Sequence, residues 1–249
     1  MQMLEQFINW YVLSGVENIS ADEPFNVISQ QKEAVLQRPA TSVLAQLGNE
    51  AFAGAKELCK KAQTLDDLKA MMENFDGCAL KFSASSTVFG SGNPRAELMI
   101  VGEAPGADED RAGEPFVGRS GSLLNKMLKA VDIEREDCFV SNILPWRPPG
   151  NRTPTDSEIT VCMPFLEKQI ELVNPKVILM LGASAANALL NNTDSISRLR
   201  GHFFEYAIDK THSYKALATF HPAYLLRSAG QKAKVWNDLL RLKEKLNEL

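Results

Sequence analysis

Three polar stretches of this 249-residue chain concentrate the side chains able to do chemistry. The first, VGEAPGADEDRAGEPFVGRSG at 101–121, combines Gly102, Gly106, Gly113, Gly118 and Gly121 with the carboxylates Glu103, Asp108, Glu109, Asp110 and Glu114. A glycine-rich loop after an apolar run commonly cradles phosphate, but it does so with bare amides and a lysine, and carboxylates at this density would oppose a polyanion. Neither G-x-x-x-x-G-K-[ST] nor G-x-G-x-x-G is present, so an α/β enzyme acting on free nucleotides is disfavoured. The second stretch, SNILPWRPPGNR at 141–152, sets Asn142 ahead of Arg147, Asn151 and Arg152. An asparagine amide both donates and accepts hydrogen bonds. The third, FHPAYLLR at 220–227, places His221 before Pro222, with Tyr224, Leu226 and Arg227 following.

The elements that must position these groups are legible from residue 97 onward. ELMIVG (97–102), CFVSNIL (138–144) and KVILMLG (176–182) are apolar runs of strand length, and 199–208 and 215–220 are further strand candidates. Helices are expected over 120–131, 155–173, 184–190 and 231–247, the second opened by Thr155 and Glu158 at capping-box spacing. Strands alternating with helices imply a parallel sheet covered on both faces. The expected fold is a three-layer αβα sandwich with a central, mainly parallel sheet. In such sheets ligands bind beyond the carboxyl ends of the strands, where all three polar stretches fall. Upstream, 3–13, 41–59 and 64–75 read as helices and 21–27 as a loop, so 1–75 is expected to be a helical N-terminal extension and 76–249 the α/β domain. The Gly-, Ser- and Asn-rich 76–95 forms the boundary.

Composition sets limits. With 45% hydrophobic and 23% charged residues the chain is an ordinary globular one. Its net charge of −4 argues against nonspecific coating of nucleic acid, yet the charge is uneven. Residues 226–234 hold Arg227, Lys232 and Lys234 with no acid, which leaves room for a local basic groove. The first basic residue is Lys32, so no positive region precedes the early apolar residues and a secretory signal is not expected. No apolar run approaches the ~18 residues of a membrane span. Four cysteines in this length fit a reducing cytoplasm rather than a disulfide scaffold.

GEAPGADED, GEPFVGRSGSLL, SNILPWRPPGNRTP, PKVILMLG and HPAYLLR, in that order, resemble the uracil-DNA glycosylase superfamily, most closely its family 4 bacterial branch. The resemblance covers roughly 76–245. It implies a DNA-repair hydrolase that flips uracil out of DNA and cleaves its N-glycosidic bond, leaving an abasic site; a noncatalytic sensor of uracil or abasic DNA is the competing reading. By resemblance, the first loop's backbone at Gly102, Ala104 and Gly106, together with Glu103, lines the sugar and base pocket, and Phe116 stacks on the base. Asn142 can accept from uracil N3–H and donate to O4, a pattern that cytosine opposes. The histidine matching His221 bonds uracil O2 and stabilises the charge developing there. Some relatives place an aspartate where Ala104 stands; Glu103, Glu109 or Asp110 are the candidates to orient water, and the residues do not decide among them. Arg147, Asn151, Arg152, Tyr224, Leu226 and Arg227 are expected to meet DNA. The expected partner is uracil-containing DNA, with no membrane involved and the chain acting as a monomer. Covalent trapping of DNA, which in a relative uses a histidine in a basic insertion, is not expected, because no histidine occurs before His202.

The chain departs from the family in one respect. Family 4 members usually bind a 4Fe–4S cluster through four cysteines. Here Cys78 and Cys162 match two of those places, while Lys81 and Trp146 stand at the other two. Neither can replace a thiolate. The expectation is therefore no cofactor and no metal, with Trp146 packed near Cys78 or Cys162 and the Lys81 stem covering the space.

Overall fold

The computed structural model describes the backbone of residues 40–249 and the side chains from residue 48 onward. The expected helix at 3–13 and loop at 21–27 lie outside the described residues. Helix α1 (Ala40–Lys61) is followed by α2 (Leu65–Glu73). Thr64 caps α2: its hydroxyl accepts the Asp67 amide at 3.1 Å, and the Asp67 carboxylate accepts the Thr64 amide at 3.0 Å. Two of the otherwise orphaned donors at the helix start are satisfied in this way.

Six strands form one sheet. They are β1 (Ser91–Gly92), β2 (Leu98–Gly102), β3 (Cys138–Asn142), β4 (Val177–Leu181), β5 (Phe203–Ala207) and β6 (Ser213–Thr219). The order is β1-β3-β2-β4-β6-β5. The four inner strands pair in parallel, and the two edge strands are antiparallel to their neighbours. Every residue of β2, β3 and β4 is buried, as expected of strands covered on both faces. Their side chains divide by parity. Met99, Val101, Ile178, Met180, Ala216 and Ala218 join one core cluster, while Leu98, Ile100, Val177, Leu179, Leu181 and Leu217 join the other.

The first cluster is covered by α2, α5 (Asp156–Val173) and α6 (Ala183–Leu190), and the second by α4 (Arg119–Lys129) and the terminal helix α9 (Lys232–Glu248). This is the three-layer arrangement the alternating pattern implies. Phe75, just past α2, meets Phe165 of α5 edge-on with ring centroids 5.1 Å apart. Thr155 caps α5 with the reciprocal Glu158 contact that its spacing predicts.

Several short elements differ from the sequence reading. Residues 107–112 form a helix, α3 (Ala107–Ala112), inside the acid-rich loop. The expected strand at 199–208 begins as helix α7 (Ile196–Leu199) and becomes strand only at Phe203. Residues after His221 coil into α8 (Pro222–Arg227). Each is one or two turns long, too brief for a 3.6-residue period to register. Among the described residues, no helix is long and apolar enough to cross a membrane.

The connection after β2 leads to one side of the sheet and that after β4 to the other. The switch point therefore lies at the carboxyl ends of these two neighbouring strands. Register fixes what meets there: Gly102 ends β2 directly opposite Asn142, which ends β3.

Candidate functional site

A cleft of about 470 Å³ opens at the carboxyl ends of the inner strands. Its walls include Glu103, Ala104 and Gly106 from the loop after β2, and Phe116 from the loop before α4. Asn142 contributes from the end of β3, Asn151 and Arg152 from the following loop, and His221, Tyr224 and Arg227 from the region after β6.

The acid-rich loop holds itself. One Glu109 carboxylate oxygen accepts the Gly106 amide at 3.1 Å and the other accepts the Gly118 amide at 3.0 Å. Asp110, which is buried, accepts the Ser85 and Ser86 amides at 2.8 and 3.2 Å. These carboxylates take the place of an external anion as partners for loop amides, tying both ends of the cleft wall to fixed points. Glu103 differs: its carboxylate receives the Ser184 hydroxyl from the first turn of α6, and it remains partly exposed on the cleft.

Phe116 carries the site's clearest backbone strain. Its φ is +56°, a left-handed conformation that costs a residue with a Cβ about 1–2 kcal/mol. Two glycines make the placement possible. A Cβ on Gly121 would stand 1.6 Å from the Phe116 carbonyl oxygen, so α4 can approach the loop only with glycine there. A Cβ on Gly102 would meet Asn142 Oδ1 at 2.4 Å and the Phe116 ring at 2.6 Å. Gly102 thus lies beneath both side chains, and its lack of a side chain sets how closely they converge.

His221 caps α8. Its Nδ1 accepts the Ala223 amide at 3.1 Å, which places the ring proton of the neutral form on Nε2. Burial pushes its pKa down to about 4; Arg227 adds to the shift and Glu109 opposes it. The ring is therefore neutral at physiological pH, with one donor left after the cap. Its centroid lies 5.6 Å from that of Phe116. Asn142 is buried, yet among the described residues its side-chain amide has no hydrogen-bond partner, and it faces the cleft.

A family model described as the uracil DNA glycosylase superfamily matches residues 89–240. The chain belongs to that superfamily. It is 38% identical over 175 residues to the Type-4 uracil-DNA glycosylase of Thermotoga maritima, covering 70% of this chain and 89% of that protein. The Type-4 uracil-DNA glycosylase of Archaeoglobus fulgidus is 37% identical over 187 residues, covering 73% and 93% respectively. That of Sulfurisphaera tokodaii is 35% identical over 186 residues, covering 73% and 84%.

The cysteines do not fit the cluster associated with this branch of the superfamily. Cys78 and Cys162 are close neighbours, and that contact together with burial holds Cys162 well above the usual thiol range. Trp146 is completely buried in the same apolar cluster as both cysteines, and its indole N–H donates to Thr87 at 3.0 Å. The Lys81 ammonium reaches Asp76 at 2.6 Å. Burial pushes the other two thiols, Cys59 and Cys138, up to about 12, and the four free cysteines are all buried. Among the described residues, no three His, Cys, Asp or Glu side chains group as metal ligands, whereas such a cluster takes four ligands.

The residues expected to contact DNA do not behave alike in this superfamily member. Arg152 makes a two-pronged ion pair with Glu158, whose carboxyl that contact holds down at about 2. Arg147 donates to Asn151, which lines the cleft, at 2.7 Å and approaches Asp110 at 3.9 Å. Arg227 lines the cleft and has no ion-pair partner among the described residues. Leu226 is 47% exposed beside it. Tyr224 packs on Phe220 with centroids 5.0 Å apart. Sequence reasoning missed Ser184, since a serine opening a helix is too common to mark. It also left the clamping by Glu109 undecided, although the spacing from Gly106 to Glu109 is that of a helix N-cap and its third residue.

Proposed function

We propose that this chain flips uracil out of DNA into the cleft and hydrolyses its N-glycosidic bond, leaving an abasic site. The observation that carries this reading is the convergence of an aromatic face, an unpartnered amide and a neutral imidazole donor: Phe116, Asn142 and His221. The cleft volume suits a small ring compound. A flipped base stacks on Phe116, an interaction of about 1–3 kcal/mol. Asn142 accepts N3–H and donates to O4. Cytosine presents an acceptor and a donor at the corresponding atoms, so its entry would leave buried polar groups mispaired, and discrimination of this kind is large.

His221 Nε2–H is the donor for O2. As the glycosidic bond breaks, negative charge moves onto the leaving base, and a donor fixed in advance by its own capping bond stabilises that charge without reorganisation. A neutral imidazole suffices for this, so the depressed pKa is compatible with the role. Glu103, fixed by Ser184, is the group placed to orient water against the sugar cation. The cation is strongly electrophilic, so base departure carries most of the barrier and a modest base is enough. Leu226 fills the gap in the stack and Arg227 contacts phosphate. All parts come from one chain, consistent with action as a monomer.

The test is one assay. Purified protein is incubated with single- and double-stranded oligonucleotides carrying one uracil, thymine or cytosine, then treated with alkali. Strand cleavage at uracil alone is expected. Tight binding to the uracil strand with no abasic product would replace the enzyme with a sensor.

A further inference from the structure

Phe116 lines two cavities at once. On one side is the cleft; on the other is a second space of about 460 Å³ bordered by Glu114, Val117, Asn125, Lys126 and Arg135. Phe116 is 6% exposed and packs into the second core cluster, yet packing does not remove the cost of its left-handed backbone, so further restraints on this loop are informative. Strained residues persist only where their surroundings over-determine them. Gly121 lets α4 close on the Phe116 carbonyl. The other restraint is Arg135, whose Nη2 donates to the carbonyl oxygen of Pro115, the residue immediately before Phe116, at 2.8 Å.

Arg135 is an unusual choice for a structural strut. It sits in the turn Arg135–Asp137 that leads into β3, is partly buried, and leaves its Nη1 buried without a hydrogen-bond partner among the described residues. Desolvation lowers its pKa from the ordinary arginine value. A buried donor without a partner opposes stability, so the fold retains this side chain at a cost. Among the described residues, the one hydrogen bond of its side chain ends on the strained loop.

We infer that Arg135 is a positioning residue for base recognition: by holding the Pro115 carbonyl from the second cavity, it fixes the angle at which the Phe116 ring faces the cleft. The inference rests on Phe116 stacking against the base, as proposed above. A rigid guanidinium fork suits the task better than a flexible ammonium. Loss of the anchor lets the Phe116 loop relax toward ordinary backbone angles and turns the ring away from the base, leaving the contacts of Leu226 and Arg227 untouched.

The experiment compares Arg135→Met, Arg135→Lys and Phe116→Ala with the parent, using single-turnover excision of uracil, inhibition by free uracil, binding to DNA containing a tetrahydrofuran abasic analogue, and thermal unfolding. Arg135→Met is expected to slow excision and weaken inhibition by free uracil by about tenfold each, the scale of losing part of a stacking contact. Binding to abasic-analogue DNA should stay within about twofold, because that ligand has no base to stack. Arg135→Lys, which keeps one donor and the charge, should fall between. A merely structural role would lower the unfolding midpoint and reduce abasic-analogue binding along with excision, and that pattern overturns the inference. So does parent-like excision and uracil inhibition in Arg135→Met, or in Arg135→Lys should the methionine variant not fold. If Phe116→Ala itself excises uracil normally, the stacking reading fails and this inference falls with it; an impaired Phe116→Ala beside an unimpaired Arg135→Met removes Arg135 alone.

Discussion

The cleft around Phe116, Asn142 and His221 and the buried region around Cys78, Cys162 and Trp146 are built in opposite ways. The cleft holds groups poised for a ligand: a bulky residue at positive φ, an asparagine amide that makes no side-chain hydrogen bond among the described residues and faces the cleft, and a histidine whose proton affinity is suppressed by burial. The cysteine site keeps almost none. Two neighbouring buried thiols and a fully buried tryptophan that bonds a threonine belong to one apolar cluster. Backbone strain persists at Phe116 in the cleft, whereas close packing dominates around the cysteines.

Substitutions in the two regions should therefore affect different observables. The largest effect on rate is expected from His221→Ala, a loss of roughly two to three orders of magnitude in single-turnover excision, the scale of removing one preorganised donor. Thermal unfolding should barely change. Asn142→Asp should weaken uracil recognition because a carboxylate cannot donate to O4, and Gly102→Ala should act through the same pair by forcing Asn142 and Phe116 apart.

Trp146→Ala should show the reverse. Emptying a fully buried tryptophan site costs about 3–5 kcal/mol of stability, measurable by denaturant unfolding, while the excision rate per folded molecule stays near that of the parent. A large rate loss in folded Trp146→Ala would show that the cysteine site still supports the cleft.

The pH dependence sharpens the contrast further. The folded-state pKa of His221 is depressed to about 4 from an unfolded value near 6.5. The stability associated with the neutral ring is therefore fully present above about pH 6.5 and is lost as pH falls toward 4. Excision should be flat through the neutral range, with no inflection at the usual histidine pKa. An inflection there would contradict the neutral-donor role. The smallest effect is expected at the rim, where Arg227→Ala should weaken DNA binding several-fold and lower the salt slope by about one.

What the sequence revealed about this molecule follows from physical scale. The inner strands were legible because LMIV, CFV and VILML are continuous apolar runs, buried on both faces in the sheet. The α5 start was legible because Thr155 and Glu158 have only one local use at that spacing. The short helices α3, α7 and α8 were not, because one or two turns leave no period. Phe116, Asn142 and His221 stood out through motifs rather than periodicity, and the cleft contains all three. The Ser184 contact to Glu103 and the Arg135 anchor are pairings between residues far apart in the chain, and the Arg152 ion pair spans six residues across a loop. No spacing along the chain encodes them.

The central claim is that the cleft's own side chains suffice for excision without a cluster. It is tested most directly by measuring iron content and single-turnover uracil release on the same purified sample, with His221→Ala prepared in parallel. The account predicts release of uracil from DNA by protein with no stoichiometric iron, and a rate two to three orders of magnitude lower in His221→Ala. Stoichiometric iron in the active fraction, or equal rates in parent and variant, would contradict it.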